Sequence, residues 1–446
     1  MEQGEPVKFG LWAQAQGMAL QTPVTRNRYV DFLRALSILA VISGHWFMAA
    51  PHVVEGNLAV ANMLEIEPWT RWLTWGFQVM PIFFLVGGYA NGVSWNAAVR
   101  DGRGYSSWLR SRLGRLIKPV LPLVVAWIVI GGVGNALGIR SEILAVVSQV
   151  ALVPIWFLSV YILVALLVPL TWSAWRRYGM ASFWGLVLLA LIDDVLFFVL
   201  NFRGVGWFNY LFVWIAVHQL GYAWRDGHLI GLRNAATWAI GGALLLVGMV
   251  YWGPYPVSMV SVPGDEISNT LPPKFVMLAL GAMQAGILLA FERPAQRWLS
   301  RVGPWTATLV VNGMIMTIYL WHLTASTLAV VLALEVGGIG LLEIDPGTGL
   351  WWSLRPVWLL AYVAALALFA RIFSRLERGV SGIIREVAAW RLVAGAVITC
   401  GGLALLALGG VVGSQWFGLR MCVLCLPFLG AVIAGVISLP QRVLRA

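Results

Sequence analysis

The chain has 446 residues, of which 60% are hydrophobic and 11% charged, with 30 Lys and Arg against 19 Asp and Glu. No water-soluble fold needs that much apolar surface, and apolar runs of about 20 residues recur along its length, so the composition implies a polytopic membrane protein. The net charge of +11 does not point to a nucleic-acid partner. The basic residues gather in alternate loops, and no basic soluble domain is present to meet phosphates.

Residues 1–25 lack the apolar core and cleavage site of a signal peptide, so the first apolar run reads as a span. In chain order the runs predict twelve helical spans: 29–50, 72–95, 119–137, 154–172, 181–200, 205–222, 235–252, 275–291, 307–334, 350–370, 392–412 and 421–439. Arg71, Arg140, Arg203, Lys274 and Arg420 fall on one set of loops, with Arg355 near the same end of the tenth span, and Arg34 lies inside the first span, while the remaining basic residues fall on the other set. The positive-inside rule therefore predicts that both termini lie in the cytoplasm. The expected organisation is all-α: a cytoplasmic segment 1–28, a ten-helix core 29–370, a basic cytoplasmic connector 371–391, and a C-terminal two-helix hairpin and tail 392–446.

The first span carries Arg34 and His45 eleven residues apart. At 3.6 residues per turn that spacing returns both to nearly one face, offset by about 16 Å along the axis. A cation and an imidazole are costly in lipid, so the pair reads as a functional site reaching from one membrane mouth toward the other. Asp31, three residues before Arg34, offers a purely local ion pair as the plainer explanation. The adjacent acids Asp193 and Asp194 lie in the fifth span, and Tyr319 and His322 near the middle of the ninth. No cluster of His, Cys and carboxylates has metal-ligand spacing, so no metal is expected. Most of the prominent tryptophans stand near span ends, where interfacial belts account for them.

R-x10-H in the first span, P-I-F-F-L-V-G-G-Y-A (81–90) in the second and R-L-G-R (112–115) before the third resemble the membrane acyltransferase-3 family. W-F-L (156–158) and Y-L-W-H (319–322) extend the match, which covers roughly residues 26–375. The resemblance implies a bacterial cytoplasmic-membrane enzyme. It would move an acyl group, usually acetyl from cytoplasmic acetyl-CoA, onto an envelope carbohydrate or glycolipid. It also implies that the Arg34–His45 pair is essential and that the R-x-x-R pair serves the acyl donor. The arginine-rich bias and the phrase around G-G-Y-A-N are similar to actinobacterial members, which suggests an acceptor such as trehalose monomycolate. Where the family often has a serine in the second helix, this chain has Gly87, leaving Tyr89 and Asn91 as polar groups there.

Transfer from a thioester to a hydroxyl needs a base for the hydroxyl proton and a polar group for the oxyanion. His45 is the natural base because imidazole titrates near neutral pH, with an acyl-imidazole intermediate as the variant route. Arg34 would line the inner half of the path. Arg112 and Arg115, one turn apart, with Lys118 just beyond, would hold the phosphates of coenzyme A, or else be ordinary positive-inside anchors. Tyr319 or His322 could bond the acceptor hydroxyl or the thioester carbonyl, and Asp193 or Asp194 could orient His45 as in a catalytic dyad. Two other readings are a secondary transporter of a small anionic or acylated solute and a thiol–quinone oxidoreductase. The first also uses intramembrane charge, though no repeat is visible. The second would rest on Cys422 and Cys425, with Cys400 left over; a buried or locally oxidised structural pair is the plainer reading of those two.

Overall fold

The computed structural model describes residues 10–23, 25–54, 57–337, 340, 342–377 and 387–437. Parts of the N-terminal segment (1–9), of the basic connector (378–386) and the tail 438–446 lie outside the described residues. The protein is an all-α polytopic membrane protein, and a single two-stranded hairpin is the only sheet among the described residues.

The first element is a helix that the spans did not include, α1 (Leu11–Leu20), in the segment 1–28 expected to be cytoplasmic; it lies against a later helix and buries Ala15 and Ala19. α2 (Arg28–Met48) is the first span. Asn27 starts it by accepting the backbone N–H groups of Tyr29 and Val30, an N-cap of the ordinary kind. It runs directly into the hairpin, β1 (Ala49–Val54) and β2 (Asn57–Asn62), paired from Ala49↔Asn62 to Val54↔Asn57. Two short helices, α3 (Met63–Ile66) and α4 (Thr74–Phe77), flank a 3-10 turn and lead to α5 (Met80–Arg100). α6 (Tyr105–Ile117) and α7 (Val120–Ala136) run on as one apolar stretch of 32 residues, so the R-L-G-R arginines lie in the same rod as the third span.

Beyond it come α8 (Ser141–Leu152), α9 (Ile155–Leu166), α10 (Val168–Tyr178), α11 (Met180–Phe198), α12 (Asn209–Arg225), α13 (Leu232–Trp252) and α14 (Val276–Ala290). The chain closes with α15 (Glu292–Leu299), α16 (Val302–Asn312), α17 (Ile315–Gly337), α18 (Gly349–Glu377), α19 (Ala389–Gly409) and α20 (Met421–Ile433). Among the described residues eight helices are long and apolar enough to cross a membrane, or ten if each of two bent pairs is one span. The expectation was twelve. The two shortfalls are α12, with 17 residues, and α20, with 13.

One bent pair crosses the start of an expected span, joining to it helix α8 from a stretch expected to be loop, and one expected span is broken, each for a local reason. α8 and α9 meet at a 42° bend at Val153-Pro154, where the proline ring cannot continue the helical hydrogen-bond ladder. The expected ninth span divides at Gly313 into α16 and α17. That break leaves Asn312 at the end of α16, its side chain bonded to the carbonyls of Thr308 and Asp31.

α12 is the axis of the bundle: from Val213 to Trp224 every residue is buried. It meets α5 backbone to backbone at Gly88 and Gly221, where a β-carbon on either would run into the other helix's main chain. Small residues at such a crossing let two membrane helices approach closely enough for dispersion to hold them. The C-terminal pair does not stand apart. α19 packs against α6, α8 and α9, the Cys400 thiol donates to the Ser159 carbonyl at 3.4 Å, and Arg110 donates to the Gly435 carbonyl at 3.1 Å.

Candidate active site

The C-terminal end of α2 and the middle of α17 bring His45 and His322 together. Nδ1 of His45 is 2.8 Å from Nε2 of His322, with the ring planes 10° apart. Nδ1 of His322 is 2.6 Å from the Tyr319 carbonyl. A carbonyl only accepts, so that nitrogen carries the proton, and Nε2 of a neutral His322 is left as an acceptor. It follows that His45 donates through Nδ1 and holds a free lone pair on Nε2. His322 is fully buried, whereas His45 keeps accessible surface. Sequence reasoning looked to Asp193 or Asp194 to orient His45; the geometry gives that place to His322.

The neighbouring residue is fixed from three sides. The Trp46 indole donates to the His322 carbonyl at 3.1 Å and packs on Tyr362, with ring centroids 5.5 Å apart. Arg355 of α18, 2% exposed, donates to the carbonyls of Trp46 and Ala49 and lies 4.2 Å over the Trp351 ring. A cation on the last carbonyls of a helix satisfies acceptors that the helix itself leaves open and complements its dipole. Arg355 is therefore the clamp on the end of α2 that carries His45.

At the other end of α2, Arg34 donates from Nε to Asn312 Oδ1 at 2.8 Å and from Nη2 to Asp31 Oδ1 at 3.2 Å. Asp31 also receives Arg26 at 2.7 Å. The local ion pair is thus present, but the Arg34 side chain remains 41% exposed. Arg112 turns inward: it bonds Ser94 and approaches the Ala90 carbonyl of α5, lies 5.6 Å from the Trp108 ring centre, and is within electrostatic range of Arg34 and Arg115. Arg115 instead points outward, exposed, toward Ser111 at 3.1 Å. Lys118 closes α6, half-buried. The two arginines expected to act as one fork diverge.

The remaining candidates are taken up elsewhere. Tyr319 donates its hydroxyl to the Pro154 carbonyl at 2.6 Å, so its proton is committed to the bend between α8 and α9. Asp194 accepts from Asn209 at 2.9 Å, Tyr255 at 2.8 Å and the Phe275 backbone N–H at 2.7 Å. It ties α11, α12, the 253–274 loop and the start of α14 into one knot. Asp193 is buried beside it, with Oδ2 unbonded among the described residues. Lys274 sits 3.6 Å over the Phe197 ring. Burial lowers its ammonium from the ordinary lysine range, while the charges of Asp194 and Asp193 pull the other way. Burial, then the Asp194 carboxylate, raises the Tyr255 hydroxyl. This knot makes no hydrogen bond to His45.

A model of the acyltransferase domain of the acyltransferase-3 type matches residues 27–372. The chain belongs to that family. No curated protein and no solved structure matches it. This membrane acyltransferase has, among its described residues, no group of three or more His, Cys, Asp or Glu placed to hold a metal ion. Reading its sequence missed the place of Arg355 beside the site, Asn312, and His218, which lies 3.1 Å from Asn91 across α12 and α5. A signal existed for the first of them. Arg355 falls within the expected span 350–370, and the rule that singled out Arg34 applies to it equally.

Proposed function

We propose that this acyltransferase moves an acetyl group from cytoplasmic acetyl-CoA onto a hydroxyl of an envelope carbohydrate or glycolipid, with His45 as the general base. The observation that carries the reading is the tautomer chain from the Tyr319 carbonyl through His322 to His45, which leaves one accessible basic nitrogen inside a membrane bundle. Nε2 of His45 takes the proton of the acceptor hydroxyl as its oxygen attacks the thioester carbonyl. The carbon–sulfur bond then breaks, and the thiolate recovers that proton, so ester and free thiol are the only products. The positive charge that His45 carries between these steps is shared through Nδ1–H with His322, whose Nε2 accepts it. Arg112 and Arg34 form the cationic inner end that favours a phosphate-bearing donor, and the acceptor enters from the opposite leaflet. The loop charges favour both termini on the cytoplasmic side of a bacterial inner membrane.

The test is purified protein with radiolabelled acetyl-CoA, together with mass-spectrometric lipid and glycan profiles of a deletion strain. Acetylated envelope species that vanish on deletion identify the acceptor. Transfer that proceeds without any acyl thioester overturns the donor.

Donor affinity separates the two arginines of α6. Arg112→Ala is expected to weaken coenzyme A binding by about 1.5–3 kcal/mol, the worth of a charge-assisted hydrogen bond, and Arg112→Lys to restore part of it. Arg115→Ala, on an exposed side chain, is expected to cost under about 1 kcal/mol. Calorimetric titration with coenzyme A and its 3′-dephospho form measures both; equal affinities throughout would return Arg112 to a topological role.

Exchanging Cys400, Cys422 and Cys425 for alanine or serine is expected to leave transfer near normal, because the donor itself supplies the sulfur. Cys422 and Cys425 are exposed at the start of α20, and both helices of the pair remain after the exchange. Loss of transfer in a folded cysteine-free protein would bring a thiol into the mechanism.

A further inference from the structure

We propose that Tyr161, on α9, holds the acyl donor between Arg112 and the histidine pair by donating its hydroxyl proton to a carbonyl of the donor's amide-bearing arm. This rests on the acyl-CoA reading above. The Tyr161 ring packs on Phe84 and Phe157, at 6.0 and 5.8 Å between centroids, and both of those residues are buried. It also closes over Gly87 of α5, where a β-carbon would lie 2.8 Å from its Cε2 and 3.0 Å from its hydroxyl oxygen. Any larger residue there would push the ring from this position. Although these neighbours belong to the interior of the bundle, Tyr161 is half-buried and keeps accessible surface.

Its hydroxyl makes no hydrogen bond to another described residue. The other interior tyrosines differ: Tyr29 bonds the Leu288 carbonyl, Tyr105 the Leu166 carbonyl, Tyr319 the Pro154 carbonyl, and Tyr222 bonds Thr171. A phenol left unpaired in an apolar interior is costly unless water or a ligand meets it. Its place says which ligand. On one side Arg112 and Tyr222 lie within electrostatic range. On the other, Phe157 stands edge-on to Tyr319 at 6.0 Å, and the Tyr319 ring is 6.1 Å from that of His322. Cation, unpaired hydroxyl and imidazole pair thus follow one another through the bundle. Phosphates, amides and thioester follow in the same order along coenzyme A.

The experiment compares wild type with Tyr161→Phe, which keeps the ring and removes only the hydroxyl. With acetyl-CoA the variant is expected to raise KM about three- to tenfold, the loss of one neutral hydrogen bond, with kcat unchanged. With the acetyl thioester of a simple alkanethiol, which has no amide to bond, wild type and variant should perform alike. An unchanged KM for acetyl-CoA overturns the inference and leaves the donor reading standing, and so does an equal loss on both donors, which would make Tyr161 a packing residue. If the wild-type protein transfers nothing from acetyl-CoA, the donor reading fails and the inference falls with it.

Discussion

Replacing His45 by glutamine or alanine is expected to abolish acyl transfer while leaving a folded, inserted protein that still binds coenzyme A. Proton transfer by a positioned base contributes about 10²–10⁴-fold to such reactions, and among the described residues no side chain that could replace it bonds Nε2 of His45. His322 cannot take over, because its Nδ1 is held by the Tyr319 carbonyl and its Nε2 faces His45. Donor binding should survive because Arg34 lies about 16 Å away along the axis of α2, and Arg112 of α6 is near Arg34 rather than His45. Single-turnover transfer together with calorimetric binding separates the two effects. Normal turnover by correctly folded His45→Ala protein would remove the base from the mechanism.

Much of this was legible from the chain because membrane burial makes polar residues conspicuous. Arg34 and His45 stand out in an apolar run, and an α-helix of known pitch places them on one face without further information. The run lengths that gave the spans are likewise set by the thickness of the bilayer. Reading failed where a contact joins residues far apart in sequence. Nothing near His45 says that its partner is 277 positions away on α17 rather than a carboxylate on α11. Asp194 looked available for that role because its own partners, Asn209, Tyr255 and Phe275, come from three separate segments. The bend at Pro154 reads in the sequence as the start of a span with loop before it, and the break at Gly313 is a local signal that length alone overrode. They matter to the site, since one offers the carbonyl that fixes Tyr319 and the other leaves Asn312 facing Arg34.

The side chain of His322 carries the second large effect. Its ring accepts the Nδ1 proton of His45, so removing it frees His45 to take the other tautomer and leaves a buried donor without a partner. His322→Leu, which fills the space without an acceptor, is expected to lower kcat about 10²–10⁴-fold with little change in donor KM. His322→Gln should retain more activity than His322→Leu, because its carbonyl oxygen can accept the same proton. A residue that served packing alone would favour the variants in the opposite order, since leucine fills an apolar gap better than an amide. Nitrogen-15 spectra of labelled histidine provide a readout independent of turnover: the His45 proton should sit on Nδ1 in wild type and redistribute to Nε2 in His322→Leu. If that substitution leaves both the rate and the His45 tautomer as they were, the stacked rings are only neighbours, and His45 must be oriented by something else.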